Sequence, residues 1–290
     1  MQSSDGLPNQ VQIGGYKCGS TTVASVLDQH PDVCISDIKE PQFFTYNWGK
    51  GIDWYRQTFS NHAGEKILGD ASTSYSQFLD PPGNWGEPIS RMRETLGPDP
   101  KLLYVIRHPV DRLISAQHYL LLRSMTDSTS LSNFVEDRPQ HLETGRYMTH
   151  IQRYLEVFDR SQLKVVVIER LNENPAAAYR DILEFLEVDP NHQFASFSAR
   201  NTSASRRKMP YWMTRTAEYM RRRPPLLKVY QVLRKPAESL LFRFGKKVPR
   251  PTVTTEEYNS IYEVYRPEIE ALSEWLGEDL LSIWTARTVE

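Results

Sequence analysis

Cysteine is scarce in this 290-residue chain. Only Cys18 and Cys34 occur, so no disulfide framework holds it together. At that length one large apolar core, or two small ones, needs no covalent staple. Two thiols in an ordinary composition point to a reducing, cytoplasmic setting, although the pair is enough for one bond. Long hydrophobic runs are missing too. No stretch approaches the roughly 20 apolar residues that span a bilayer, and residues 1–10 are polar and unlike a signal peptide. Neither a membrane nor a membrane anchor is therefore expected. A formal net charge of −1 argues against nucleic acid as partner of the whole surface. Histidines are few, and His30, His62, His108 and His118 follow no Cys/His ligand spacing, so no metal site is expected. Internal repeats and low-complexity segments are absent.

What charge there is lies unevenly. Residues 200–250 carry fifteen Lys and Arg against Glu218 and Glu238 alone, which leaves the remainder acidic. Arg206, Arg207 and Lys208 follow a polar stretch, whereas Arg221–Arg223 and Lys246–Lys247 read either as solvated helix faces or as a surface for an acidic acceptor or anionic membrane.

Short apolar runs alternate with helical spacing up to residue 188. Val11–Gly14, Lys66–Asp70, Leu102–Ile106 and Leu163–Ile168 read as strands, with a further strand presumed ahead of Lys39. Thr22–Leu27, Ile52–Phe59, the run after Pro109 and the run capped by Asn174-Pro175 read as helices. Alternation of this kind predicts an α/β fold, a mostly parallel sheet flanked by helices. Tyr211–Phe244 and Tyr258–Leu276 add helices, the first broken at Arg223-Pro224-Pro225 and the second with Pro267 as a restart. We expect one domain over 1–290: a nucleotide-binding core over 1–190, a basic loop and helical lid over 191–250, and C-terminal helices over 251–290 packing on the core.

Gly14-Gly15-Tyr16-Lys17-Cys18-Gly19-Ser20-Thr21-Thr22 joins the first strand to the first helix. Glycines let the chain turn so that successive N–H groups converge on one anion, and the helix N-terminus adds its dipole. Lys17 supplies a charge, and Ser20, Thr21 and Thr22 supply hydroxyls. A Walker A loop places its lysine after the last glycine and before Ser/Thr; here Lys17 precedes Gly19. The glycines alone read equally as a plain strand-to-helix turn.

Arg107 stands at the end of the next apolar strand, where open α/β sheets place ligands, and Ser115 follows eight residues later. Arginine presents a fixed fork of donors to a phosphate. Alone, Arg107 reads as a surface ion-pair residue. Lys39-Glu40-Pro41-Gln42-Phe43-Phe44 places a carboxylate ahead of two aromatics, or a Lys39–Glu40 surface pair ahead of two core residues.

Taken together these segments resemble the PAPS-dependent sulfotransferases of bacterial type, closest in pattern to the heparan sulfate N- and O-sulfotransferase group. PAPS is 3′-phosphoadenosine-5′-phosphosulfate; PAP is the product left behind. The resemblance implies a P-loop-like sheet in which residues 17–22 (Lys17, Cys18, Gly19, Ser20, Thr21, Thr22) hold the 5′-phosphosulfate, with Lys17 on the leaving oxygen. It implies that Arg107 and Ser115 hold the 3′-phosphate, that Arg206 and Arg207 close over the nucleotide, and that Glu40 is the general base. Gln42, Phe43, Asp70 and Tyr75 fall on segments that it assigns to the acceptor. Gly51-Ile52-Asp53-Trp54-Tyr55 strengthens the likeness to the glucosamine N-sulfotransferase branch. Two positions depart from it. His108 follows Arg107 where Asp or Asn is more frequent, and Asp70-Ala71 stands in place of Glu-Lys. His108, Asp70 and other carboxylates stay open as alternative bases. The implied acceptor is a small molecule or a glycan. A phosphotransferase with a divergent loop, or a binding module without activity, are the competing classes; Cys18 after Lys17 and intact Glu40, Arg107 and Ser115 speak against them.

Overall fold

The structure, a computed structural model, describes residues 6–77, 86–197, 210–221 and 250–287, with isolated positions from 208 to 248. Five strands form the sheet: β1 (Gln10–Gly14), β2 (Val33–Ile35), β3 (Ile67–Asp70), β4 (Lys101–Ile106) and β5 (Leu163–Val167). Their order is β2-β3-β1-β4-β5, and every neighbouring pair is parallel. Buried on both faces, β4 lacks polar alternation: Leu102 to Ile106 are each at most 1% exposed, while β1 buries Gln10 and Gln12 between its apolar residues. The β1–β4 register shifts between Gln12 and Gly14. Gly14 passes there because nothing larger fits: a Cβ on it would lie 1.9 Å from Ser76 Oγ and 2.4 Å from the Tyr104 ring.

The helices are α1 (Ser20–Leu27), α2 (Ile52–Gln57), α3 (Gly86–Leu96), α4 (Pro109–Leu122), α5 (Leu131–Asp137), α6 (Pro139–Glu143), α7 (Tyr147–Leu155), α8 (Ile168–Glu173), α9 (Pro175–Phe185), α10 (Tyr211–Arg221) and α11 (Thr255–Leu276). Start signals act as the sequence predicts. Asn174 Oδ1 accepts from Ala177 N at 3.2 Å to cap α9. Pro109 opens α4, and His108 does the work of an Asn or Asp cap, its Nδ1 accepting from Val110 N at 3.2 Å.

Two expectations change. α11 runs unbroken through Pro267 rather than restarting there. Both Pro267 and Glu263, whose carbonyl the missing N–H would have met, are exposed, so water can satisfy the carbonyl. α11 also closes on the core: Tyr265 OH donates to Leu142 O at 2.7 Å, and Glu268 accepts from Thr149 N at 3.1 Å in α7. The second change concerns the predicted lid. α10 is the helix seen there, and most of 222–249 lies outside the described residues.

Cys18 and Cys34 are free and buried. Among the described residues no helix is long and apolar enough to cross a membrane, and no group of three or more His, Cys, Asp or Glu residues is placed to hold a metal ion.

Candidate active site

All five strands run the same way, so the segments that follow them leave the sheet at one edge. The chain passes from β1 out to β2 and β3 on one side, then back across β1 to β4 on the other. The loops after β1 and β4 therefore flank the point where the winding reverses, the place where such sheets take ligands.

The loop after β1 is built to present donors. Gly19 precedes α1 with φ +91°, in the left-handed region, and an added Cβ would meet Ile168 Cδ1 at 2.9 Å. Thr22 and Val23 N–H bond back to Gly19 O at 2.8 and 3.2 Å. The first turn of a helix offers its leading N–H groups no intrahelical acceptor, so those of Gly19, Ser20 and Thr21 are the donors an anion would use. Cys18 sits inside the turn. Its N–H is committed to Gly15 O at 2.8 Å, and its thiol is 1% exposed and pushed by burial up to about 11. In this arrangement both groups serve the turn itself. Ser20 is buried as well, whereas Thr21 and Thr22 are half-buried.

Lys17 has φ +66° and Gln42 φ +51°, two of the four described non-glycine residues in the left-handed region. Each such residue costs about 1–3 kcal/mol and persists where its surroundings over-determine it. Lys17 Nζ lies 4.5 Å from the centroid of the Tyr119 ring on α4, a cation–π contact. On α4, Asp111, Ser115 and Tyr119 recur every four residues and so form one stripe. Arg107 reaches the same stripe, with Nη2 3.7 Å from Asp111 Oδ2. Lys17, Arg107 and Ser115 are thereby gathered along a single helix face. Beneath the loop, Arg112 is fully buried; its Nη2 donates to His141 O and Tyr265 OH, while Nε and Nη1 have no hydrogen-bond partner among the described residues. Its charge acts on Tyr16 and Cys18 and opposes the effect of their burial. A guanidinium held in low dielectric under the loop favours an anion above it.

Glu40 meets that loop directly. Lys39 Nζ donates to Glu40 Oε1 at 2.7 Å and to Thr21 Oγ1 at 3.0 Å. Thr73 Oγ1 donates to Glu40 Oε2 at 3.4 Å, and Gln42 Nε2 lies 3.5 Å from the same oxygen. Candidate base, Gln42 and phosphate loop thus form one connected cluster, half-open to solvent: Lys39 and Glu40 side chains are 30% and 33% exposed.

Three residues that the resemblance assigns to the acceptor lie under this cluster instead. Asp70, Tyr75 and Phe43 are 0%, 3% and 1% exposed. Phe43 stacks on Tyr55 at 4.2 Å between centroids. Asp70 accepts from Ser72 N (2.9 Å), Ser72 Oγ (2.5 Å), Tyr55 OH (2.7 Å) and Tyr75 OH (2.7 Å). Ser72 Oγ in turn accepts from Gln42 N at 2.8 Å. Asp70 therefore shapes the Glu40 loop from below and is sealed from solvent. Removing it strands four buried donors, each worth about 1–3 kcal/mol when left unsatisfied. Asp70→Ala is expected to lower unfolding free energy by about 3–5 kcal/mol in urea titrations, and Asp70→Asn by less, because an amide oxygen still accepts. Equal stability of Asp70→Ala and wild type would overturn this role.

His108 is also excluded as the base. It is 5% exposed, burial pushes its pKa below the ordinary histidine value, and with Nδ1 accepting from Val110 the neutral ring carries its proton on Nε2, 3.2 Å from Thr285 O. Arg206 and Arg207 lie outside the described residues. Sequence reasoning passed over Lys39 as a site residue, together with Thr73, Tyr119 and Arg112. Lys39 had a signal, its adjacency to Glu40; its contact with Thr21 needed the crossover between β1 and β2.

A parallel sheet with a strand–loop–helix anion cradle at its winding reversal defines a nucleotide-binding α/β protein. The chain belongs to the sulfotransferase family, a family of PAPS-dependent enzymes: the sulfotransferase domain matches residues 8–223. It is 29% identical over 212 residues to the human bifunctional heparan sulfate N-deacetylase/N-sulfotransferase 2, a match covering 65% of this chain and 23% of that protein. It is also 29% identical over 193 residues to the mouse heparan sulfate glucosamine 3-O-sulfotransferase 3A1, covering 64% and 47%. The matched region is thus less than half the length of these relatives. Among solved structures, a sulfotransferase from Alicyclobacillus acidocaldarius shares the fold with a TM-score of 0.62 at 23% identity, covering 96% of this chain and 98% of that one.

Proposed function

We propose that this protein transfers the sulfuryl group of PAPS to a hydroxyl or amine of an acceptor, a glycan or a small molecule. The observation that carries the reading is the Lys39 bridge, which sets the candidate base Glu40 against the anion loop within two hydrogen bonds. The residues present fit a polyanionic nucleotide. Helix N-terminal N–H groups, Lys17 and the buried Arg112 all favour negative charge at the loop, and Arg107 stands at the end of β4. PAPS supplies an activated sulfuryl group and a stable leaving phosphate. The loop orients the 5′-phosphosulfate, Lys17 offsets charge on the oxygen that leaves, and Glu40 takes the proton of the attacking hydroxyl or amine. No side chain needs to be covalently modified.

Incubation with 35S-labelled PAPS and a panel of acceptors tests the reading. The panel comprises an N-unsubstituted glucosamine polymer, as the relatives' names direct, and simple alcohols and amines. Label transfer to any of them supports it; transfer from labelled ATP instead would replace it with a phosphotransferase.

Arg107 gives a sharper test of how the nucleotide lies. Its ion pair with Asp111 is long at 3.7 Å and about one-third exposed, and such pairs contribute little to stability. The guanidinium is therefore available for exchange onto a 3′-phosphate. Arg107→Ala is expected to weaken PAP by about 10- to 100-fold, the worth of a charge-assisted contact, while AMP, which lacks that phosphate, loses little. Equal losses for both in calorimetry would remove Arg107 from the 3′-phosphate.

A further inference from the structure

Lys39 holds two partners that belong to different halves of the proposed reaction. Its Nζ donates to Glu40 Oε1 at 2.7 Å and to Thr21 Oγ1 at 3.0 Å. Glu40 lies after β2 and Thr21 in the first turn of α1, so the ammonium stands between the base and the cradle. An ammonium has three protons; two are engaged here, and the third has no partner among the described residues. With the side chain 30% exposed, the position is open to an incoming ligand.

A surface ion pair of this kind would normally contribute about 0–1 kcal/mol. Two features set it apart. The ammonium occupies Glu40 Oε1 at 2.7 Å, so that oxygen is not open to an acceptor's O–H or N–H while the contact lasts. An anion on the loop competes for the same ammonium, because Thr21 already brings Nζ to the loop's rim.

We propose that Lys39 is a second cation of the transfer step: it restrains Glu40 while the loop is empty and moves onto the sulfuryl oxygens when PAPS binds, freeing Glu40 for the acceptor. This rests on the reading of the protein as a PAPS sulfotransferase. In the step itself, a lone pair on the acceptor's oxygen or nitrogen forms the new bond to sulfur. The bond between sulfur and the bridging oxygen breaks, and its electron pair stays on the 5′-phosphate of PAP. The acceptor's proton passes to Glu40. Lys39 neither gains nor loses a proton; it offsets the negative charge of the sulfuryl oxygens as they pass. The arrangement also imposes an order, with nucleotide binding ahead of productive acceptor binding.

The experiment compares PAPS and PAP, which differ by the sulfuryl group, on wild type, Lys39→Ala and Lys39→Arg. Calorimetry gives both affinities, and initial rates give kcat and KM. Lys39→Ala is expected to weaken PAPS by about tenfold or more, to leave PAP within a few-fold, and to lower kcat by ~10²-fold, the usual effect of removing one electrostatic stabiliser. Lys39→Arg should recover most of both losses. A Lys39→Ala protein that keeps the wild-type PAPS-to-PAP affinity ratio overturns the proposal, whatever its kcat, because the sulfuryl group then makes no contact with residue 39. Thermal unfolding of each variant guards against loss of fold. Failure of the wider reading looks different: wild type itself would bind neither nucleotide.

Discussion

Lys17→Ala is expected to lower kcat by ~10²–10³-fold while the affinity for PAP changes only a few-fold. The separation follows from where the charge is needed. In the ground state the loop already offers the N–H groups at the start of α1, and Arg112 adds a buried charge beneath them. On the proposed reading, Lys17 is one contributor among several to holding the phosphate. As the bond to sulfur breaks, charge builds on the single oxygen that leaves, and a mobile ammonium at the loop can follow it. The resting position fits such a role: Nζ lies over the Tyr119 ring, a contact of modest strength that an anion displaces. Tyr119 also carries Arg123, 4.6 Å from its centroid, so the ring keeps a cation when Lys17 departs. Steady-state kinetics with any accepted acceptor, together with PAP calorimetry, measures the effect. A kcat within a few-fold of wild type would take Lys17 out of the chemistry, and a parallel loss of PAP affinity would make it a binding residue only.

The segments proposed to hold the nucleotide could be picked out in the sequence because each of them is local. The loop at 14–22, the strand-end Arg107 and Pro109 at the start of α4 are short segments whose meaning lies in adjacent residues. Alternating runs likewise revealed four strands to within two residues and the parallel order class. What lay hidden is non-local. Asp70 and Tyr75 carry the polarity of site residues, and only the fold shows that Tyr55, fifteen residues before Asp70, turns them into a buried network. Cys18 sits inside a binding motif, yet its N–H serves the loop's own turn. α3 and α5 to α7 escaped notice because their apolar faces are short and only tertiary packing completes them. Pro267 misled in the other direction: a strong local breaker was overruled by a long buried face, with Tyr258, Ile261, Tyr262, Tyr265, Ile269 and Leu272 all inside.

Glu40→Gln is expected to have the largest effect on acceptor chemistry, a fall of ~10²–10⁴-fold in kcat for an alcohol acceptor, with PAP affinity nearly unchanged. Glutamine keeps the size of the side chain and an oxygen for Lys39 and Thr73, so the loop between β2 and α2 should hold its shape. Basicity alone is removed. The two alternatives that the sequence offered are engaged elsewhere: Asp70 is sealed beneath Ser72 and two tyrosines, and His108 caps α4. Glu40 stands instead at the rim, one-third exposed and two hydrogen bonds from the first turn of α1. The pH–rate profile of Glu40→Gln should be low and should differ in shape from that of wild type. Glu40→Asp should retain part of the activity, since the carboxylate survives but sits one methylene short of the acceptor. An amine acceptor adds a second control. Once such an amine is neutral in solution it needs less help, so the loss in Glu40→Gln should shrink as pH rises towards the acceptor's own pKa. If the glutamine variant keeps near-wild-type rates and the wild-type pH profile, the proton goes elsewhere, and Glu40 serves only as the partner that positions Lys39.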